Sequence, residues 1–85
     1  MNLKHKPKIP AKVVSMPGIM TGDPVVRGTR IPAMTIIECL RAGESRYEIF
    51  GHYPTLPVDG IDAVEAWAKE RFGPEWRTAP LPENA

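Results

Sequence analysis

The 85-residue chain has one cysteine, no apolar run near the length of a membrane span, and no cluster of cysteines and histidines. Each absence narrows what it can be. A lone Cys39 excludes an internal disulfide framework, and no Cys/His spacing resembles a zinc site. A span needs ~20 consecutive apolar residues. The N-terminal stretch also lacks a signal-peptide core, so the expected location is the cytoplasm, with no membrane contact. Two glycines lie in the loop at residues 15–24, but no GxGxxG and no P-loop lysine–hydroxyl pair accompanies them. Catalysis lacks its parts as well. His5 lies in a lysine-rich arm, His52 and Tyr53 lie in a proline-bounded bridge, and Cys39 falls in a helical stretch without a neighbouring histidine. Base, nucleophile and oxyanion site cannot be assembled from these. The expectation is a protein that is not an enzyme, with no catalytic residues, no metal and no cofactor.

What is present is charge of both signs, unevenly distributed. Through Pro32 six basic residues (Lys4, Lys6, Lys8, Lys12, Arg27, Arg30) face one acid, Asp23. From Ala33 onward five basic residues face nine acids. A basic arm suits a polyanion and an acidic half suits a basic protein surface, although solubility alone also accounts for such a pattern. One domain of this length buries a limited core. Association supplements such a core, most often as a two-fold homodimer.

Along the chain, residues 1–12 read as a flexible basic arm broken by Pro7 and Pro10. Val13-Val14 and Val25-Val26 are β-branched pairs suited to two short paired strands. Arg27-Gly28-Thr29-Arg30 is a turn, followed by a short extended piece at Ile31 and a helix from Pro32 to about Ala42. Met34, Ile37 and Leu40, broadened by Ala33 and Ile36, give that helix its apolar band, and Gly43 stops it. Ser45 and Glu48 form a capping box for a second helix that buries Tyr47, Ile49 and Phe50 and ends at Gly51. Helix, glycine-containing turn and helix together have helix-turn-helix spacing. A bridge with Tyr53 and Leu56 leads to a third helix from about Val58 to Phe72, with Ile61, Val64, Ala68 and Phe72 on one face. The domain therefore spans residues 13–73, and residues 74–85 form a flexible, proline-rich tail whose large apolar residues are Trp76 and Leu81.

The segments Gly22-Asp23-Pro24-Val25-Val26-Arg27-Gly28-Thr29-Arg30-Ile31-Pro32 and Leu40-Arg41-Ala42-Gly43-Glu44-Ser45, with Tyr53-Pro54-Thr55-Leu56, resemble the small bacterial domain of unknown function numbered four hundred and thirty-three. The resemblance runs from about Val13 to Ala68. Members are regarded as VapB-type antitoxins. The resemblance implies a mainly α fold: a three-helix, homeodomain-like or winged-helix-like helix-turn-helix domain with a short N-terminal β-hairpin. It also implies an antitoxin that neutralises a PIN-like nuclease toxin and binds operator DNA to regulate its own synthesis. Four positions depart from the family pattern. Asp23 stands where lysine is common, and Pro57, Gly60 and Glu65 replace a helix cap, an acid and an apolar residue. The third helix is left acidic, which suits phosphates poorly.

For DNA the candidate contacts are Arg27 and Arg30 in the turn, Lys12 with the arm before it, and Arg46 as a phosphate contact. Alternatively Arg27 and Arg30 are structural and pair with Asp23 or Glu38. For the protein partner the candidates are Trp76, Arg77 and Leu81, residues of the tail that would order on binding. The competing function is a protein-interaction module of helix-turn-helix fold with no DNA binding, for which the acidic third helix is the argument.

Overall fold

The computed structural model describes residues 9–15, 18 and 22–81; the lysines at 4, 6 and 8 lie outside them. The elements are β1 (Val13–Val14), β2 (Val25–Val26), α1 (Ala33–Arg41), α2 (Arg46–His52) and α3 (Gly60–Phe72). Among the described residues three helices thus accompany one small antiparallel sheet.

The two valine pairs form the expected sheet, with Val13 opposite Val26 and Val14 opposite Val25. The Arg27 N–H donates to the Lys12 carbonyl at 2.7 Å, which sets the phase of the ladder. Bonded and non-bonded pairs alternate in an antiparallel ladder, so the polar groups of Val13 and Val26 turn away from each other. Val26 directs its pair into the following turn. Its N–H donates to the Ile31 carbonyl at 2.9 Å, and its carbonyl accepts from the Thr29 N–H at 3.0 Å and the Thr29 hydroxyl at 2.7 Å. The same hydroxyl accepts from the Ile31 N–H at 3.0 Å. Gly28 completes the turn at φ +84°, a conformation that a side chain would strain. The extended piece after the turn is reduced to one bridge between Val25 and Pro32.

Helix boundaries shift slightly from those expected. Pro32 is the cap of α1 and not its first residue: at ψ 139° it is extended, and it is held in the bridge to Val25. Ala33, Ile36, Ile37 and Leu40 form the buried face of α1, and Met34 is only half-buried. The left-handed stop at Gly43 appears as expected, at φ +88°. The capping box is also present, with the Ser45 hydroxyl accepting from the Glu48 N–H and the Glu48 carboxylate from the Ser45 N–H. α2 continues through Gly51 to His52 and buries only Ile49. Tyr47, expected inside, is 88% exposed, because a seven-residue helix has one inward face and Ile49 occupies it. α3 begins at Gly60, two residues later than expected, and Val58 stands 70% exposed ahead of it.

One core joins these elements. Val26, Ile36, Ile37, Ile49, Ile61, Val64 and Ala68 are fully buried, and Leu56 closes them from the bridge. Trp76 belongs to the same core at 6% exposure, with Leu81 packed against it. The expected boundary at Gly73 is therefore too early, since Trp76 and Leu81 beyond it pack on the same core. Upstream, the Ala11 N–H donates to Asp59 Oδ2 at 3.0 Å, so the last residues of the expected arm belong to the domain as well.

Gly60 occupies a tight site. A methyl group there would lie 2.8 Å from Cδ1 and 2.9 Å from Cγ of the buried Leu56. Gly60→Ala is expected to cost about 1–3 kcal/mol by overpacking, although alanine is the better helix former by ~1 kcal/mol. Urea denaturation measures the sign; a more stable variant would show that Leu56 moves aside freely.

Candidate functional site

Arg27 and Arg30 flank the turn, but only one of them reaches outward. Arg27 is half-buried and its Nη2 donates to the Pro10 carbonyl, clasping the segment before β1. Arg30 is exposed, as is Lys12. Among the described residues neither arginine pairs with Asp23 or Glu38. Arg27 is thus structural through a backbone carbonyl, a partner that charge pairing does not reveal.

The other candidate cations meet on α3. Arg46 Nη2 lies 2.7 Å from Asp62 Oδ1 and 3.0 Å from Glu65 Oε1, while Arg77 Nη2 lies 2.6 Å from Glu65 Oε2. Glu65, at the edge of the apolar face, therefore links α2, α3 and the tail. The Arg77 guanidinium also sits 4.8 Å from the centroid of the Trp76 ring. Partly exposed pairs of this kind contribute ~0–1 kcal/mol each, so their main effect is orientation. They also leave Arg46 and Arg77 poorly placed for phosphate, with an acid already on each guanidinium.

Trp76 and Leu81, expected as free anchors, pack inside this chain. The residue that holds them was not among the candidates: Arg41, at the last turn of α1, donates from Nη1 to the carbonyls of Trp76 and Ala79, the latter at 2.7 Å. Its only sequence signal is a cation at a helix C-terminus. Its acceptors lie 35 and 38 residues away, beyond any local rule.

Two concavities are lined by the described residues. An open notch of about 720 Å³ lies along α2 between Glu44, Tyr47, Glu48, Phe50 and His52. A smaller hollow of about 330 Å³ separates β1 from α3. Around the notch His52 Nδ1 lies 3.6 Å from Glu44 Oε1. Burial pushes the Cys39 thiol above its ordinary range, and the Glu44 carboxylate adds to this. That makes Cys39 a poor nucleophile at neutral pH. Hydrogen bonds from the Ser45 backbone and then its side chain hold the Glu48 carboxyl below its ordinary value. Among the described residues no group of three or more His, Cys, Asp or Glu side chains is arranged to hold a metal ion.

Two outcomes follow from these contacts. Because Glu48 is depressed on folding, the capping box stabilises fully above the ordinary carboxylate value and loses that contribution as pH falls through the lower folded value. Ser45→Ala is expected to cost about 1 kcal/mol by loss of the cap, whereas in Glu48→Gln the acid-dependent contribution is expected to disappear when urea midpoints are compared across pH. Arg41→Ala is expected to speed amide exchange at Trp76, Thr78 and Ala79 while Ile37 stays protected. Unchanged exchange there would mean that Trp76 alone holds the tail.

Comparison with known proteins gives a consistent picture. A family model described as protein of unknown function (DUF433) matches residues 13–68. The uncharacterized protein y4eO of Sinorhizobium fredii (strain NBRC 101917 / NGR234) is 35% identical over 57 residues, which are 67% of this chain and 26% of that protein. This chain therefore spans about a quarter of that relative. The crystal structure of a DUF433 member protein from Anabaena variabilis superposes with a TM-score of 0.63 at 25% identity, over 69% of this chain and 58% of the other.

Proposed function

This chain belongs to the DUF433 family of proteins of unknown function, and on that premise we propose that it is a helix-turn-helix-type interaction module acting as the antitoxin of a type II toxin–antitoxin pair. Its protein partner in this reading is a PIN-like nuclease. The supporting observation is the fate of the cations. Arg46 and Arg77 carry acids from α3, and Arg27 carries the Pro10 carbonyl. The acidic helix is thereby kept next to its own arginines, while α2 presents Tyr47 at 88% exposure. An exposed tyrosine beside half-buried Phe50 is the kind of anchor found at the centre of protein interfaces. Partner contact in this reading lies on α2, and the tail supports it from behind.

Operator binding is a second activity, favoured by one observation. Lys12 and Arg30 are both exposed, and among the described residues neither is paired with an acid. On the hairpin side of the domain they are cations available to phosphates.

Co-expression with the neighbouring open reading frame tests the first activity. Tyr47→Ala is expected to weaken capture of the encoded nuclease roughly tenfold or more at an unchanged melting temperature. Capture that survives Tyr47→Ala and fails with Arg77→Ala would return the contact to the tail. For promoter DNA, a chain lacking residues 1–8 is expected to show a log–log salt slope of roughly −2, since each neutralised phosphate contributes ~0.9. A flat salt dependence would remove DNA from the function.

A further inference from the structure

Gly51 is a glycine that the fold does not call for. It lies within α2, outside the left-handed region, and a methyl group there would meet nothing within 4 Å. Glycine weakens a helix, because its bare backbone loses more freedom on folding than that of alanine. Among the described residues neither a turn nor a close neighbour offsets that cost. What the missing side chain leaves is space. Tyr47 stands one turn earlier on the same face, and a helical side chain covers the turn before its own, so Gly51 stays bare. Gly51 thus lines the notch along α2 with Tyr47, Phe50 and His52, and Glu44 and Glu48 supply its acids. Among the described residues no lysine or arginine lines it, since Arg46 is turned to Asp62 and Glu65. Glu44 is also incompletely matched. Its Oε1 is buried without a hydrogen-bond partner among the described residues, with His52 Nδ1 3.6 Å away, while the side chain keeps 33% exposure.

We propose that this notch receives an arginine side chain of a protein partner, laid over the backbone of Gly51 with its guanidinium against the Tyr47 ring and the carboxylates of Glu44 and Glu48. The inference rests on partner contact at α2, whichever protein makes it. Each part of the notch selects for that side chain. Two carboxylates with no lysine or arginine beside them complement a cation. An exposed ring next to them favours the flat guanidinium, which stacks on aromatic faces, over the compact ammonium of lysine. Forked donors serve two acids at once, including the carboxylate that lacks a partner on one oxygen. The absent side chain at Gly51 admits the methylene stem, which packs on apolar surface while its head stays with the acids. The chain already builds one such contact within itself. Arg77 sits 4.8 Å from the centroid of the Trp76 ring while its Nη2 meets Glu65 at 2.6 Å. On α2 the ring and the acids are present and the arginine is missing.

The test is an NMR titration of the full nitrogen-15-labelled chain with acetyl-leucyl-arginine amide, using the citrulline peptide as the uncharged isostere. The expected result is a set of saturable amide shifts confined to residues 44–52, with a dissociation constant roughly threefold or more higher for the citrulline peptide. Gly51→Ala is expected to weaken arginine binding by a similar factor while its melting temperature holds or rises, since alanine is the better helix former. A glycine needed only by the fold would instead lower the melting temperature when replaced. Glu44→Gln is expected to weaken binding as well. Shifts that do not saturate, an equal response to both peptides, or undiminished binding in either variant would overturn the inference. The proposed function stands or falls separately. Nuclease capture lost in Tyr47→Ala beside an unresponsive notch would leave that reading without this one, and an arginine response with capture indifferent to Tyr47→Ala would do the reverse.

Discussion

The turn that follows β2 sets the position of nearly everything else. Val26 is completely buried, and its backbone N–H and carbonyl face away from β1, so both need partners inside the protein. Each left unpaired would cost about 1–3 kcal/mol. Ile31 and Thr29 provide the partners, and the Thr29 hydroxyl bridges the two sides of the turn as donor and acceptor. A valine in place of Thr29 would keep the shape and lose both bonds. Once the turn is closed, Pro32 lies against Val25, α1 starts at Ala33, and Ile36 and Ile37 face the sheet. Register, helix start and core thus descend from one buried valine.

The charge asymmetry of the sequence has a different meaning in the folded chain. Arginines and acids that both lie in the acidic part gather on α3, where Glu65 receives Arg46 from one side and Arg77 from the other. Glu65 stands where an apolar residue is common in the resembling family, and the two arginines account for how a carboxylate is tolerated there. The basic part keeps its exposed charge at Lys12 and Arg30. Pairing thus confines three of the charges on and beside α3 to short-range contacts, while Lys12 and Arg30 keep theirs exposed.

Much of this was legible from residue types and spacings because the controlling interactions are local. The paired valines, the left-handed stop at Gly43 and the Ser45–Glu48 box each involve neighbours within a few residues or a simple strand match. Tyr47 departs from expectation because apolar character does not ensure burial: on a helix of two turns Ile49 and, in part, Phe50 take the inward face. Trp76 departs from expectation in the opposite sense. Prolines around it argue against a helix or strand, but they do not prevent an irregular segment from packing, and Arg41 supplies donors to carbonyls that no helix or sheet would satisfy. The roles of Arg27 and Glu65 likewise depend on partners 12 to 19 residues distant, which spacing rules do not reach.

The placement of Trp76 bears on how the chain acquires its shape during synthesis. All three helices and the sheet leave the ribosome before it, so a nascent chain ending at α3 has its apolar faces assembled around a gap of indole size. Such an intermediate leaves part of the shared core open, and it becomes complete only when the indole arrives. A protease acting between α3 and Trp76 would undo that last step, returning a finished domain to its half-made state with a single cut.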